Sequence, residues 1–303
     1  MQKPDSSIGP RFVFSIPLIP RSKANNWGKV NQNLELTLQS LVNQSDPDWI
    51  AVVCGHEAPH LSLPVDSRIH ILEVPDLPIE PVAKGSTDKY RKRRHIAEWL
   101  RAQNIPEVWV FGLDADDWVH TGFVETCKSR CRGTVRGILV EAGYRVDVQT
   151  GYGEVLKSGF YKGCGSCFVG RYESSDLPRS GSSNKSNYCR VALGHHARQA
   201  ERAEGLGWMV EKFGWPCIAY PINHTESLRG MKTEGKLRSL MPHRRKLPPR
   251  ALKKTLYLDF GIRPELGSTP AWKRAQNTVG YAWHAVKERL KKNPWLVGRS
   301  RHK

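Results

Sequence analysis

The sequence predicts an open mixed α/β sheet flanked by helices, followed by a basic, partly helical C-terminal extension. Three observations predict it. Short apolar runs bounded by Pro, Gly, Asp and His alternate with helix-period segments over the first 120 residues. A strand-rich stretch follows from Gly137 to about Gly170, and positive charge crowds into the end of the chain. Strands separated by helices pair in parallel through right-handed crossovers, which is the basis for an open sheet.

RFVFSIPLI, from Arg11, is a short apolar run closed by prolines, and reads as the first strand. The segment from Val30 to Gln44 puts Leu34, Leu38, Leu41 and Val42 on one helical face. Trp49 to Cys54 and Ile69 to Val74 are β-branched strand candidates. Asp88 to Gln103 spaces Tyr90, Ile96, Ala97 and Leu100 as a helix would, and Val108 to Leu113 is a further buried strand. GILVEA, YRVDVQ and GSCFVGR then read as strands, His195 to Gly214 as a helix, and Cys217 to Ile222 as a strand. Ser180 to Ser186 has the composition of a mobile loop, and Asn277 to Lys292 that of a basic amphipathic helix.

Charge divides the chain. The whole sequence carries a formal +18, but residues 228–303 hold 20 Lys/Arg against four acids, leaving only +2 for residues 1–227. A uniformly basic nucleic-acid-binding domain is therefore disfavoured, and a near-neutral domain with a cationic arm is favoured. The expected organisation is a flexible N-terminus at 1–10, a domain at 11–227 and a basic extension at 228–303. The start lacks an apolar leader core, and no apolar run approaches the roughly 20 residues that cross a bilayer. Seven cysteines, several inside apolar runs, fit a reducing compartment, so the expected location is cytoplasmic, extending to the inner membrane face.

The chemistry is concentrated after the Val108 strand, at Asp114, Ala115, Asp116 and Asp117. In an open parallel sheet, ligands bind outside the carboxyl ends of the strands. Carboxylates this close repel one another unless a cation intervenes, and Mg²⁺ or Mn²⁺ accepts such oxygens together with phosphates and water. The competing reading is an acidic turn that caps the next helix.

The order of RFVFSIPLI, a helix ending in LQSLVNQSDPDW, the strand IAVVCGHE, the segment DKYRKR and then FGLDADD resembles the amino-terminal half of GT-A glycosyltransferases, Rossmann-like enzymes, and especially the bacterial family 2-like ones. The resemblance spans about residues 11 to 225 and excludes the basic tail. It implies that the first two strand ends, at Pro17 and at His56 and Glu57, hold the nucleotide of a sugar donor, and that Asp88, Lys89, Lys92 and Arg93 approach its diphosphate. It further implies that Asp114, Asp116 and Asp117 bind the ribose or a divalent cation, Mn²⁺ or Mg²⁺, and that a late histidine, His224, completes the metal shell, with His195 and His196 as competitors. GCGSCFVGR matches the small-residue strand beneath the acceptor, and Glu204, with Glu201 second, matches the catalytic base. The implied partners are a nucleotide-sugar donor and a glycan, lipid-linked or small-molecule acceptor.

Rival readings start from the same residues. Cys127 and Cys131 with Cys164 and Cys167 have a loose zinc-like spacing. The basic tail, with Trp272, Tyr281, Trp283 and Trp295, suits an anionic membrane surface, while nucleic acid would be drawn by the same charges. A nucleic-acid-binding protein and a metal-dependent nuclease or phosphotransferase are the alternative functions.

Overall fold

A computed structural model describes residues 11–62, 66–79, 85–131, 133–181, 185–226 and 245–268. The N-terminus at 1–10 and the helix expected at 277–292 lie outside the described residues.

Strand β1 (Arg11–Pro17) is an interior strand of the main sheet. Its alternation divides the core. Phe12, Phe14 and Ile16 pack with Leu34, Leu38 and Leu41 of helix α1 (Trp27–Val42), while Val13 joins Ile96, Ala97 and Leu100 of helix α2 (Gly85–Ala102) on the opposite face. Asn26 starts α1 by accepting the Lys29 amide at 3.0 Å. Val42, expected in the buried stripe, is 43% exposed, and Val30 one turn before Leu34 is buried instead.

β2 (Trp49–Gly55), β3 (Ile69–Glu73) and β4 (Glu107–Gly112) pair in parallel in the order β3-β2-β1-β4, as the alternation of strands and helices predicts. Beyond β4 the order continues through β9 (Phe168–Glu173), antiparallel to both neighbours, then β6 (Val135–Val140) and β10 (Met209–Phe213). The sheet is therefore mixed and open, with helices on both faces.

The helix expected from His195 to Gly214 is corrected. Only Gln199–Glu204 forms a helix in that segment, here α5, preceded by a short 3-10 turn at His196–Arg198. Gly207, at φ +77°, ends it in a conformation that side chains rarely adopt, and the following residues pair with β6 as β10. A short helix α4 (Asn187–Ala192), capped by Ser186, covers the sheet beside α5.

A second sheet has the order β12-β8-β7-β11-β5, from β5 (Trp118–Val119), β7 (Gly143–Asp147), β8 (Tyr152–Leu156), β11 (Ile218–Ile222) and β12 (Arg245–Leu247). Helix α3 (Phe123–Arg130) follows β5 and buries Phe123 and Val124 under the main sheet. Helix α6 (Pro249–Phe260) covers the small sheet through Leu252, Leu256 and Phe260. Residues 245–268 form a strand and a helix that pack on the small sheet, because an i, i+4, i+8 apolar stripe lies within their basic composition.

Candidate active site

The carboxyl ends of β1, β2 and β4 share one edge, and α2 crosses it. Lys89, Lys92 and Arg93 lie at i, i+3 and i+4, on one face of that helix. Lys92 is fully buried; its Nζ donates to the Leu18 carbonyl at 2.6 Å and to Asp88 Oδ2 at 2.8 Å. Burial lowers its pKa and the Asp88 carboxylate works against that. Lys92 and Asp88, expected at the diphosphate, thus tie α2 to the end of β1.

Lys89 and Arg93 point elsewhere. Lys89 Nζ is 2.5 Å and Arg93 Nη2 3.1 Å from the same oxygen, Oδ1 of Asp114. Burial would raise the Asp114 pKa, but the two cations outweigh it and hold the carboxyl below its usual range. The Asp114 amide donates to Ser166 Oγ at 2.8 Å, which fixes the start of the loop against the GCGSC run. A Cβ at Gly165 would lie 2.8 Å from Asp114 Oδ2 and 3.0 Å from Lys89 Nζ, so the ion pair sits against bare backbone. Nothing in composition marks Ser166 as a partner, although the small-residue run signals a close approach.

The three aspartates occupy three different environments. Asp117 is fully buried and receives the Cys164 thiol at 3.2 Å. Burial, reinforced by the Asp116 and Asp114 charges, pushes its pKa well above the usual carboxylate value. Asp116 is partly exposed and stands with Oδ2 2.9 Å from His224 Nε2. His224 follows β11 of the small sheet, whereas Asp116 leaves β4 of the main one.

His56 is buried and bonds the Leu77 carbonyl through Nε2 at 2.9 Å, bracing the chain beyond β3, and Glu57 accepts the Arg21 amide. Pro17 ends β1 opposite Cys54. His196 is stacked on His195 at 4.8 Å between ring centroids, and burial, with Lys89 and His195 adding to it, pushes its pKa down to about 4. The two helical acids stand apart: Glu201 is exposed and paired with Arg198 at 2.7 Å, and Glu204 is exposed at the end of α5. Neither has a contact with the aspartates among the described residues. All seven cysteines are buried free thiols, and burial raises the pKa of Cys127, Cys131, Cys164 and Cys167.

Among the described residues no group of three or more His, Cys, Asp or Glu could hold a metal. Asp116 and His224 nevertheless pair a carboxylate oxygen with an imidazole nitrogen, donors that Mn²⁺ accepts, and a cation of this class takes one or two protein ligands when phosphates fill the rest. Asp117 is turned into the core against the Cys164 thiol, and Asp114 is engaged by cations. The four-residue ligand set expected from the sequence therefore divides.

Residues 31–166 match the family model described as "Putative rhamnosyl transferase". That match supports a glycosyltransferase. No curated protein matches the chain in sequence. Among solved structures, a putative nucleotide-diphospho-sugar transferase from Desulfovibrio desulfuricans G20 is 6% identical over 82% of this chain and 96% of that one, with a TM-score of 0.35. A CMP:2-keto-3-deoxy-manno-octonic acid synthetase complexed with CTP is 12% identical over 74% and 96%, at 0.34. Mouse xyloside xylosyltransferase 1 is 11% identical over 44% and 52%, at 0.24. Likenesses at these scores carry no weight beside the chain's own topology and site.

Proposed function

We propose that the chain is a metal-dependent glycosyltransferase that moves a sugar from a nucleoside-diphosphate sugar to a hydroxyl of a glycan, lipid-linked or small-molecule acceptor. The observation that carries this reading is the convergence, at one sheet edge, of Lys89 and Arg93 on Asp114 beside the Asp116–His224 pair. The family match supports it and makes a rhamnosyl donor the first to test.

Cleaving a sugar to diphosphate bond leaves negative charge on the departing phosphate, and fixed cations aimed at it lower the barrier. Lys89 and Arg93 are cations of this kind. Both are anchored on α2 and reach the partly exposed Asp114, where an incoming diphosphate meets them. Asp116 and His224 would hold Mn²⁺ or Mg²⁺, which supplies Lewis-acid stabilisation of the leaving group. Arg93, 3% exposed, is held by burial and by its pairing with Asp114, so little ordering is required on binding.

The test is thermal stabilisation by nucleotide sugars with and without Mn²⁺. A ligand at a hundredfold excess over its Kd stabilises the native state by about 2.7 kcal/mol, a shift of several degrees. Metal-dependent stabilisation by a nucleoside-diphosphate sugar is expected; none from any such sugar, with or without metal, refutes the reading.

A further inference from the structure

Helix α6 is covered on one side only. Leu252, Leu256 and Phe260 are fully buried, whereas Arg250, Lys253, Lys254, Tyr257 and Leu258 are exposed. Tyr257 and Leu258, at 50% and 58%, are among the few large apolar side chains left in water. At 3.6 residues per turn the five exposed positions fall within an arc of about 140°. That arc holds three cations and no acid. Arg263 adds a fourth, with its guanidinium 4.3 Å from the centre of the Tyr257 ring.

We propose that this face of α6 docks on an anionic lipid surface, with the cations at the headgroups and Tyr257 and Leu258 entering the interface. Charge complementarity selects a negative partner, and the mixed character of the stripe selects the lipid. A nucleic-acid backbone rewards cations but offers nothing to an exposed leucine, whereas a bilayer interface takes both. The helix, at 12 residues, is about 18 Å long and lies on a bilayer rather than crossing it. No helix among the described residues is long and apolar enough to cross. The sequence after Ser268 continues the same chemistry, with nine Lys/Arg against one Glu and three tryptophans.

The placement matters for the site. β7 and β11 run parallel, β11 leads to His224, and the turn after β7 packs at Gly151 against Pro249, the first residue of α6. The start of the helix thus lies at the end of the small sheet that carries His224. Docking through α6 brings that end of the molecule to the lipid. The docking itself is independent of sugar transfer and is measured without it.

Sedimentation of the full chain with vesicles tests the proposal, using phosphatidylcholine alone and phosphatidylcholine mixed with phosphatidylglycerol. Binding to the mixed vesicles only, weakening with salt, is expected. Lys253→Glu with Lys254→Glu lowers the partition coefficient about tenfold or more, because each cation near an anionic surface contributes severalfold. Tyr257→Ser with Leu258→Ser lowers it severalfold. Both double variants keep the wild-type melting temperature, since the side chains are exposed. Wild-type binding by either variant, equal binding to neutral vesicles, or binding to RNA with none to anionic vesicles overturns the proposal.

Discussion

The carboxyl edge of the main sheet and the β7–β8 ladder of the small one handle charge in opposite ways. At the carboxyl edge of the main sheet, ionic groups face one another across elements: Lys92 is buried between Leu18 and Asp88, and Asp114 stands between Lys89 and Arg93. In the β7–β8 ladder Arg145 pairs with Glu154 across the strands, 2.5 Å apart, while the cationic stripe of α6 is turned outward. The difference teaches where a ligand enters. Charges crossing between elements at a partly exposed edge can exchange one another for an incoming anion. Charges matched within a ladder are already satisfied, and breaking such a pair leaves a buried ion.

The strongest test of that comparison removes the residues that join the two regions. Asp116→Ala is expected to lower transfer by about a thousandfold or more and His224→Ala by about ten- to a hundredfold, with unchanged melting temperatures without ligand. Steady-state kinetics and thermal melts check both, and turnover near wild type in Asp116→Ala would remove the edge from the reaction. Lys89→Ala is expected to be milder, raising the apparent Kd for the nucleoside-diphosphate sugar about tenfold, as the loss of one charge-assisted contact requires. Isothermal titration measures it, and an unchanged Kd would make the Lys89–Asp114 pair purely structural. The smallest effect is expected at α5: Glu201→Gln and Glu204→Gln change transfer by less than about twofold, because both carboxylates face solvent and Glu201 is held in a surface ion pair. A tenfold loss at Glu204 would place the proton acceptor on that helix after all.

Much of the main sheet was legible in the sequence. β1, β2 and β4 are largely apolar runs of six or seven residues, separated by helical spacing, and burial on both faces writes itself into composition. The small sheet was harder to read for a physical reason. β5 has two residues and β12 three, so each exists through its partners and leaves little local signal. β10 was read as helix because Met209, Val210 and Phe213 suit either period, and only the turn at Gly207 settles the matter. α6 was concealed by its lysines, since a net positive segment reads as tail even when every fourth residue is buried.

At the site, the aspartate cluster and His224 were found by motif, but their roles were not separable. Asp116 and Asp117 are neighbours with the same side chain, yet one is partly exposed beside His224 and the other is buried against a thiol. Environment alone makes that distinction, and no spacing encodes it. Likewise Lys92 and Lys89 differ by less than one helical turn, which is enough to send one inward to the Leu18 carbonyl and the other to the open edge.

Asp116, on the loop that joins β4 to β5, and His224, beyond β11, come from separate stretches of the chain, so whatever grips both also ties those stretches together. Occupancy at this point is then readable far from the sugar, as slower amide exchange along β5 and β11, and the substrate becomes part of the scaffold that holds it.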